Sequence, residues 1–212
     1  MPDVFEYRGI DNLVIAEVLT DDNDESGGYT TGPVEPLLPI AELGKTTESS
    51  AEAHHYDNQP MIMVTSEGPD ELTITGAGLS PEMRAKITGR SYDDTTGALI
   101  EGPRVIRHFA IGYRTLDTSG HERLVWRYKG VFNIPDENHK TIDNSTEANG
   151  TELTYTGIYT THKFDKGKLN EDGVWEPAPA KAMVVDAYKK LADVSKFFDT
   201  VTSPDDLKPI AG

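Results

Sequence analysis

Alternation of apolar and polar residues is strongest between Val105 and Phe132, VIRHFAIGYRTLDTSGHERLVWRYKGVF. Two alternating runs flank Asp117-Thr118-Ser119-Gly120, residue types that suit a tight turn, so the pattern predicts a long antiparallel hairpin. Successive side chains on a strand point to opposite sides. That places Val105, Phe109, Ile111 and Tyr113 on one face of the first strand, and Leu124, Trp126, Tyr128 and Phe132 on one face of the second. Such faces side by side bury much of the chain's aromatic area, so the hairpin is expected to be the spine of a sheet.

Elsewhere the pattern is weaker. Leu13 to Val18 reads as a first strand after an arm without period. Asp21 to Pro39, rich in Asp, Gly, Thr and Pro, predicts a long loop (residues 20–40) or an extended hairpin tip. Thr46 to Asn58 is polar with no clear period. Met61 to Thr65 and Glu71 to Thr75 predict two short strands, with Leu72 and Ile74 alternating with Thr73 and Thr75. Ser80-Pro81-Glu82 is a helix start: Ser caps free amides, Pro suits the first helical position, and Glu favours the positive end of the helix dipole. Gly89 closes that short helix, near 80–89. Pro135 to Asn149 is a polar connection, Thr151 to Phe164 alternates again, and Lys163 to Pro179 predicts a loop. Val184, Ala187, Tyr188, Leu191, Val194 and Phe198 fall on one helical stripe, which predicts a C-terminal amphipathic helix near 181–198. The sum is a mainly β (α+β) fold of two packed antiparallel β-sheets. One domain spans 1–200 with an N-terminal arm, and a polar, fraying tail spans 201–212.

Charge changes this picture most. Thirty-six acidic residues against twenty basic ones give the 212-residue chain a net charge of −16. Binding nucleic acid by neutralising phosphates needs clustered Lys and Arg, and the overall field here repels a polyanion. Cysteine is absent, which excludes disulfides and thiolate metal sites. No run approaches the roughly 20 apolar residues of a membrane-spanning helix. The opening MPDVFEYRGID lacks the basic and apolar regions of a secretory signal, so the expectation is a protein made in a cytoplasm.

Candidate chemistry is sparse. Asp22, Asp24, Ser26 and Gly27 match the start of a calcium loop, but the twelfth position, where a bidentate Glu is needed, is Pro33. His54, His55 and Asp57 lack the i, i+4 spacing of helical zinc sites. Gly76-Ala77-Gly78 before a helix lacks the third glycine of a dinucleotide loop and the Gly-Lys of a phosphate loop. No nucleophile elbow is present, so no catalytic residue, metal or cofactor is expected. One unevenness stands out: Arg104 to Lys129 holds six basic residues and only two acidic ones. Arg123, Arg127 and Lys129 are expected to share the strand face opposite Trp126. As a positive strip on a negative molecule they are candidates for contact with an acidic patch, Asp21, Asp22, Asp24 and Glu25, on a second copy.

Taken in order, several segments carry a family resemblance. Tyr7-x-Gly9-Ile10-x-Asn12-Leu13 opens into a strand and an Asp- and Gly-rich turn. A strand, short helix and Gly-x-x-Tyr-Asp segment run from Leu72 through Pro81, Met83, Gly89, Tyr92 and Asp93. Phe109-Ala110-Ile111-Gly112-Tyr113 pairs with Val125-Trp126-Arg127-Tyr128-Lys129-Gly130-Val131-Phe132, followed by Leu153-x-x-x-Gly157 and Phe197-Phe198-Asp199. The chain thereby resembles the major tail proteins of long, non-contractile-tailed bacteriophages. That resemblance implies two packed antiparallel sheets with a flanking helix, joined edge to edge with those of neighbouring copies. It implies hexameric rings stacked around a tape-measure protein into a tube, capped by tail terminator and distal tail proteins, that conducts DNA without binding it tightly. It implies a virion location, and a long loop (Asp21 to Pro39 is the candidate) together with terminal arms bridging successive rings. The predominantly acidic composition predicts an acidic lumen. Two other classes fit less well: a non-catalytic β-sandwich carbohydrate-binding module, for which Trp175 is the candidate loop aromatic, and a hydrolase built on carboxylates.

Overall fold

The computed structural model describes residues 6–23, 28–56, 59–136 and 150–210. In chain order its strands are β1 (Tyr7–Asp21), β2 (Tyr29–Thr31), β3 (Glu35–Pro36), β4 (Ile40–Tyr56) and β5 (Gln59–Gly76). Helix α1 (Pro81–Thr88) follows, then β6 (Ser91–Asp93), β7 (Ala98–Ile100), β8 (Phe109–Asp117), β9 (Glu122–Phe132) and β10 (Thr151–Gly157). The chain continues with β11 (Phe164–Leu169), β12 (Trp175–Ala178) and β13 (Ala182–Asp186). The fold is mainly β, as the sequence predicts. The expected pair of sheets is hydrogen-bonded into one antiparallel sheet of nine strands in the order β2-β1-β8-β9-β10-β5-β4, with β3 on β1 and β13 on β9. Leu13 and Ile15 of β1 share a core with Leu72 and Ile74 of β5, with three strands between them in that order, so the sheet curls over one face. Two small hairpins, β6–β7 and β11–β12, stand apart from it.

The central hairpin is β8–β9. Asp117 closes its turn by accepting from the amides of Ser119 (2.8 Å) and His121 (2.9 Å), and Gly120 takes φ +79°. Phe109, Ile111, Tyr113 and Val125 enter the concave core with Phe132, Leu153 and Tyr155. Ala110, Leu124, Trp126 and Tyr128 face the opposite core with Phe164, Phe197 and Val201. Both faces of the hairpin are therefore buried, and full burial of each large side chain stabilises the fold by about 1.5–3 kcal/mol. Phe132 departs from the expected face. Phe109 pairs with Gly130 while Ile111 pairs with Arg127, so β9 carries an extra residue between them and its alternation inverts. Val105 also departs: it precedes β8 and is 64% exposed, its amide donating to Gly89 O (2.9 Å).

Helix α1 has the expected ends. Ser80 Oγ accepts from the Met83 amide (3.2 Å), and Gly89 caps the last turn at φ +67°. A Cβ at Gly89 would lie 1.7 Å from Val105 O, so position 89 is closed to other residues twice over, by conformation and by contact.

The expected C-terminal helix at 181–198 is not formed. Ala182–Asp186 is a strand along Arg123–Arg127 of β9, Ala187–Lys189 is one 3-10 turn, and turns follow. On the predicted apolar stripe Val184 is 59% and Leu191 71% exposed, while Phe197, off the stripe, is buried. Half of β9 runs past β10 with its main-chain groups unpaired, and satisfying them outweighs a modest helical preference in an AMVV segment rich in β-branched residues. The segment predicted to fray is tied back as well: Asp205 accepts from the amides of Asp165 (3.1 Å) and Lys166 (2.9 Å), and Ile210 N bonds Leu191 O (3.0 Å). Lys163–Pro179, expected as a loop, contains the β11–β12 hairpin. The polar connection lies outside the described residues from 137 to 149. No helix among the described residues is long and apolar enough to cross a membrane.

Candidate interaction surface

The most unusual element is the β4–β5 pair, strands of 17 and 18 residues paired from Ile40↔Gly76 to Tyr56↔Gln59 with three one-residue slips along the way. Its inner half belongs to the body: Glu71 to Gly76 also pair with β10, and Leu72 and Ile74 are fully buried. Beyond Asp70, β5 pairs only with β4. The outer part runs nine residues past Thr47, which at about 3.3 Å per residue projects a two-stranded ribbon roughly 30 Å long. Ser49, Ser50, Ala51, Glu52, His54, Met63, Val64, Thr65 and Ser66 on it are all exposed. Met63 and Val64 are successive residues, so an apolar side chain stands on each face. Ser50 Oγ and Ser66 Oγ bond across the strands at 2.6 Å. An isolated two-stranded ribbon is marginal in water, and no other described part of the chain covers this one. It therefore presents two faces and unpaired main-chain edges to whatever lies beside it.

The ribbon leaves the body through a buried charge network. Asp70, 3% exposed, is the last residue of β5 paired with β10 (Asp70↔Gly157). Its carboxylate accepts from Thr47 Oγ1 at 2.8 Å and from Arg127 Nη1 at 2.5 Å, with Lys45 Nζ at 3.6 Å and Lys181 Nζ at 3.8 Å. Arg127 is 6% exposed, and its buried Nε has no acceptor among the described residues. Burial pushes the Asp70 carboxyl up, but the Thr47 bond and the charges of Arg127, Lys45 and Lys181 outweigh it and hold the pKa below the usual carboxylate value. Lys181 also donates to Glu67 Oε1 and to Gly68 O, both at 2.6 Å, and its ammonium lies 4.6 Å from the centre of the Tyr159 ring. The Lys181 hydrogen bond, followed by its charge, lowers the Glu67 carboxyl.

Of the residues proposed from sequence for contact between copies, Asp21, Arg123, Arg127 and Lys129 are engaged within the chain. Asp21 accepts from the amides of Thr161 and His162, both at 2.8 Å, and pairs with Lys129. Asn23 accepts from the Lys163 amide (3.0 Å), and His162 Nδ1 lies 3.0 Å from the Asp22 carbonyl. Arg123 bonds Asp186 (2.6 Å) and Tyr7 Oη (2.7 Å). Asp24 and Glu25 lie outside the described residues. The expected positive strip of Arg123, Arg127 and Lys129 is thus divided among three acids, Asp186, Asp70 and Asp21. The reason is that the strand face opposite Trp126 is itself a core face, and the buried Arg127 requires its counter-charge there.

Of the loop and hairpin-tip readings of Asp21 to Pro39, the second holds at its start, where Thr20 and Asp21 of β1 pair with Thr30 and Tyr29 of β2. Instead of reaching outward, 29–38 lies along β1 through β2 and β3, with Leu37 and Leu38 buried. The sequence marks one side of the ribbon, since the expected strand Met61 to Thr65 lies in β5, but misses its partner, because the outer half of β4 has no buried face and so no hydrophobic period. The available signal was Asp57-Asn58, turn-forming residue types between segments rich in Thr and Ser. Among the described residues no three His, Cys, Asp or Glu side chains are grouped to hold a metal ion. Comparison of the sequence with models of protein families found no matching family, and comparison with characterised proteins found no significant match.

Proposed function

We propose that this protein is a structural subunit whose copies polymerise as stacked rings, hexameric by resemblance, into a hollow tail tube of a bacteriophage. The observation that carries this reading is the uncovered ribbon of β4 and β5. A body with both sheet faces filled has no use for roughly 30 Å of bare hairpin, whereas a polymer uses it as the arm that lies on the next copy. The ribbon takes over the bridging role that the sequence suggested for Asp21 to Pro39. Open sheet edges are completed in the same way by neighbouring copies. The tube encloses a tape-measure protein and later passes DNA. The net charge of −16 suits that passage, since an acidic bore gains no counterion-release affinity for phosphate and does not hold the strand.

Electron microscopy and sedimentation of the purified protein test the reading. Rings or tubes with a central hole are expected. A chain in which residues 49–67 are replaced by Asn-Gly is expected to fold and to remain a monomer. A full-length protein that stays strictly monomeric at high concentration refutes the proposal. A second reading, carbohydrate binding, has one observation in its favour: Trp175, 52% exposed, pairs with exposed Leu169 on the β11–β12 hairpin. Saturable binding of an oligosaccharide that Trp175→Ala abolishes would support it over the first.

A further inference from the structure

The network around Asp70 joins side chains of β4, β5 and β9 with Lys181 and Tyr159, and it does so where the ribbon stops being part of the body. Every strand that meets at this point contributes to it. From β4 come Thr47, which is Asp70's cross-strand partner, and Lys45. From β5 come Asp70, the Glu67 carboxylate and the Gly68 carbonyl. The body supplies Arg127 of β9, Lys181 just before β13, and Tyr159 just after β10, whose hydroxyl bonds Glu67 at 3.3 Å. The β4–β5 ladder also slips by one residue between Thr47 and Ser49, immediately beyond the network. A slip of that kind bends and twists a ribbon, so the root is the place where its direction is decided.

We propose that Asp70, held by Arg127, Lys181, Lys45 and Thr47, is a direction lock: it fixes the angle at which the β4–β5 ribbon leaves the sheet. Buried ion pairs contribute little net stability relative to apolar packing, but they penalise every arrangement that separates their members. Swinging the ribbon about its root would pull Thr47 and Asp70 away from Arg127 and Lys181 and leave a guanidinium buried without a counter-charge. Only one exit direction satisfies all the partners at once. The outer ribbon does not set that direction, because beyond Glu67 and Gly68, which Lys181 and Tyr159 hold at the root, it makes no hydrogen bond or ion pair to another element among the described residues. The lock stands on contacts within one chain and holds whether or not copies assemble.

The absence of cysteine allows a direct measurement. Ala51→Cys on the ribbon and Ser119→Cys on the β8–β9 turn are both at exposed positions and take nitroxide labels. Their distance distribution is read by pulsed electron double resonance on labelled protein diluted into unlabelled protein. A single narrow peak is expected. In Asp70→Asn the peak should broaden severalfold or split, while amide exchange in β8 and β9 stays as protected as before. Ser50→Ala, which removes a hydrogen bond out on the ribbon, should leave the peak narrow. Should Asp70→Asn fail to fold, Lys181→Met, which keeps the Asp70–Arg127 pair but frees Glu67 and Gly68, is held to the same criterion. A narrow peak in these root variants, a broad one already in the parent, or equal broadening in Ser50→Ala would overturn the proposal. Failure of the protein to form tubes would not bear on it.

Discussion

Trp126 provides the sharpest test of how the C-terminal segment is held. Its ring lies in the core formed with Phe164, Phe197 and Val201, and its Nε1–H donates to Phe197 O at 2.8 Å. Thr202 Oγ1 donates to the same carbonyl at 3.0 Å. Two donors on one acceptor make the energetics non-additive. Trp126→Phe removes one hydrogen bond, about 0.5–1.5 kcal/mol, and leaves a small void, while Phe197 O stays satisfied by Thr202. Thr202→Val alone costs about as much as a single bond, because the indole still donates. In the double variant the buried carbonyl has neither donor, and an unsatisfied buried group costs about 1–3 kcal/mol. The double variant should therefore fall below the sum of the singles by about 1 kcal/mol or more, well outside the roughly 0.3–0.5 kcal/mol within which independent sites add. Urea unfolding followed by circular dichroism gives the four stabilities. Additivity within that margin would refute the shared acceptor, and with it the docking of residues 197–202 against β9.

Other consequences are simpler to check. Gly89→Ala should destabilise by more than the roughly 1–2 kcal/mol of a left-handed non-glycine residue, since its Cβ also meets Val105 O at 1.7 Å; thermal melting measures the loss. Asp21→Asn weakens the bonds to the Thr161 and His162 amides and the pair with Lys129, and about 1–3 kcal/mol of stability should go with them, accompanied by faster amide exchange at 161 and 162. Asp11, Asp21, Asp70 and Asp186 all hold their carboxyls below the usual value, so their ionised forms favour the folded state above about pH 4. That contribution is lost as pH falls through the folded values, and the unfolding midpoint should drop steadily below about pH 4. Of the two tryptophans, Trp126 is fully buried and Trp175 half-exposed, so Trp175→Phe should shift emission to the blue and make the remainder resistant to acrylamide.

Local chemistry by itself determined a good deal of this protein. Ser80, Pro81 and Gly89 mark helix α1 because capping depends on residues within one turn. Phe109 to Phe132 marks the central hairpin because alternation and a turn sequence are properties of neighbours. The mainly β class and the acidic composition are legible for the same reason. What the tertiary structure alone decided are the matters set by distant partners. Which faces are buried depends on what covers them, so the face of Arg123 and Arg127 reads as solvent-exposed until β5 brings Asp70 against it. Residues 182–186 satisfy a helical period in isolation and become a strand because β9 has main-chain groups to fill. The outer half of β4 has no buried face within the chain, so no hydrophobic pattern records it as the partner of Met61 to Thr65. The ribbon's long pairing register, and the charge network of Asp70 and Arg127 at its root, exist only once strands far apart in sequence lie side by side.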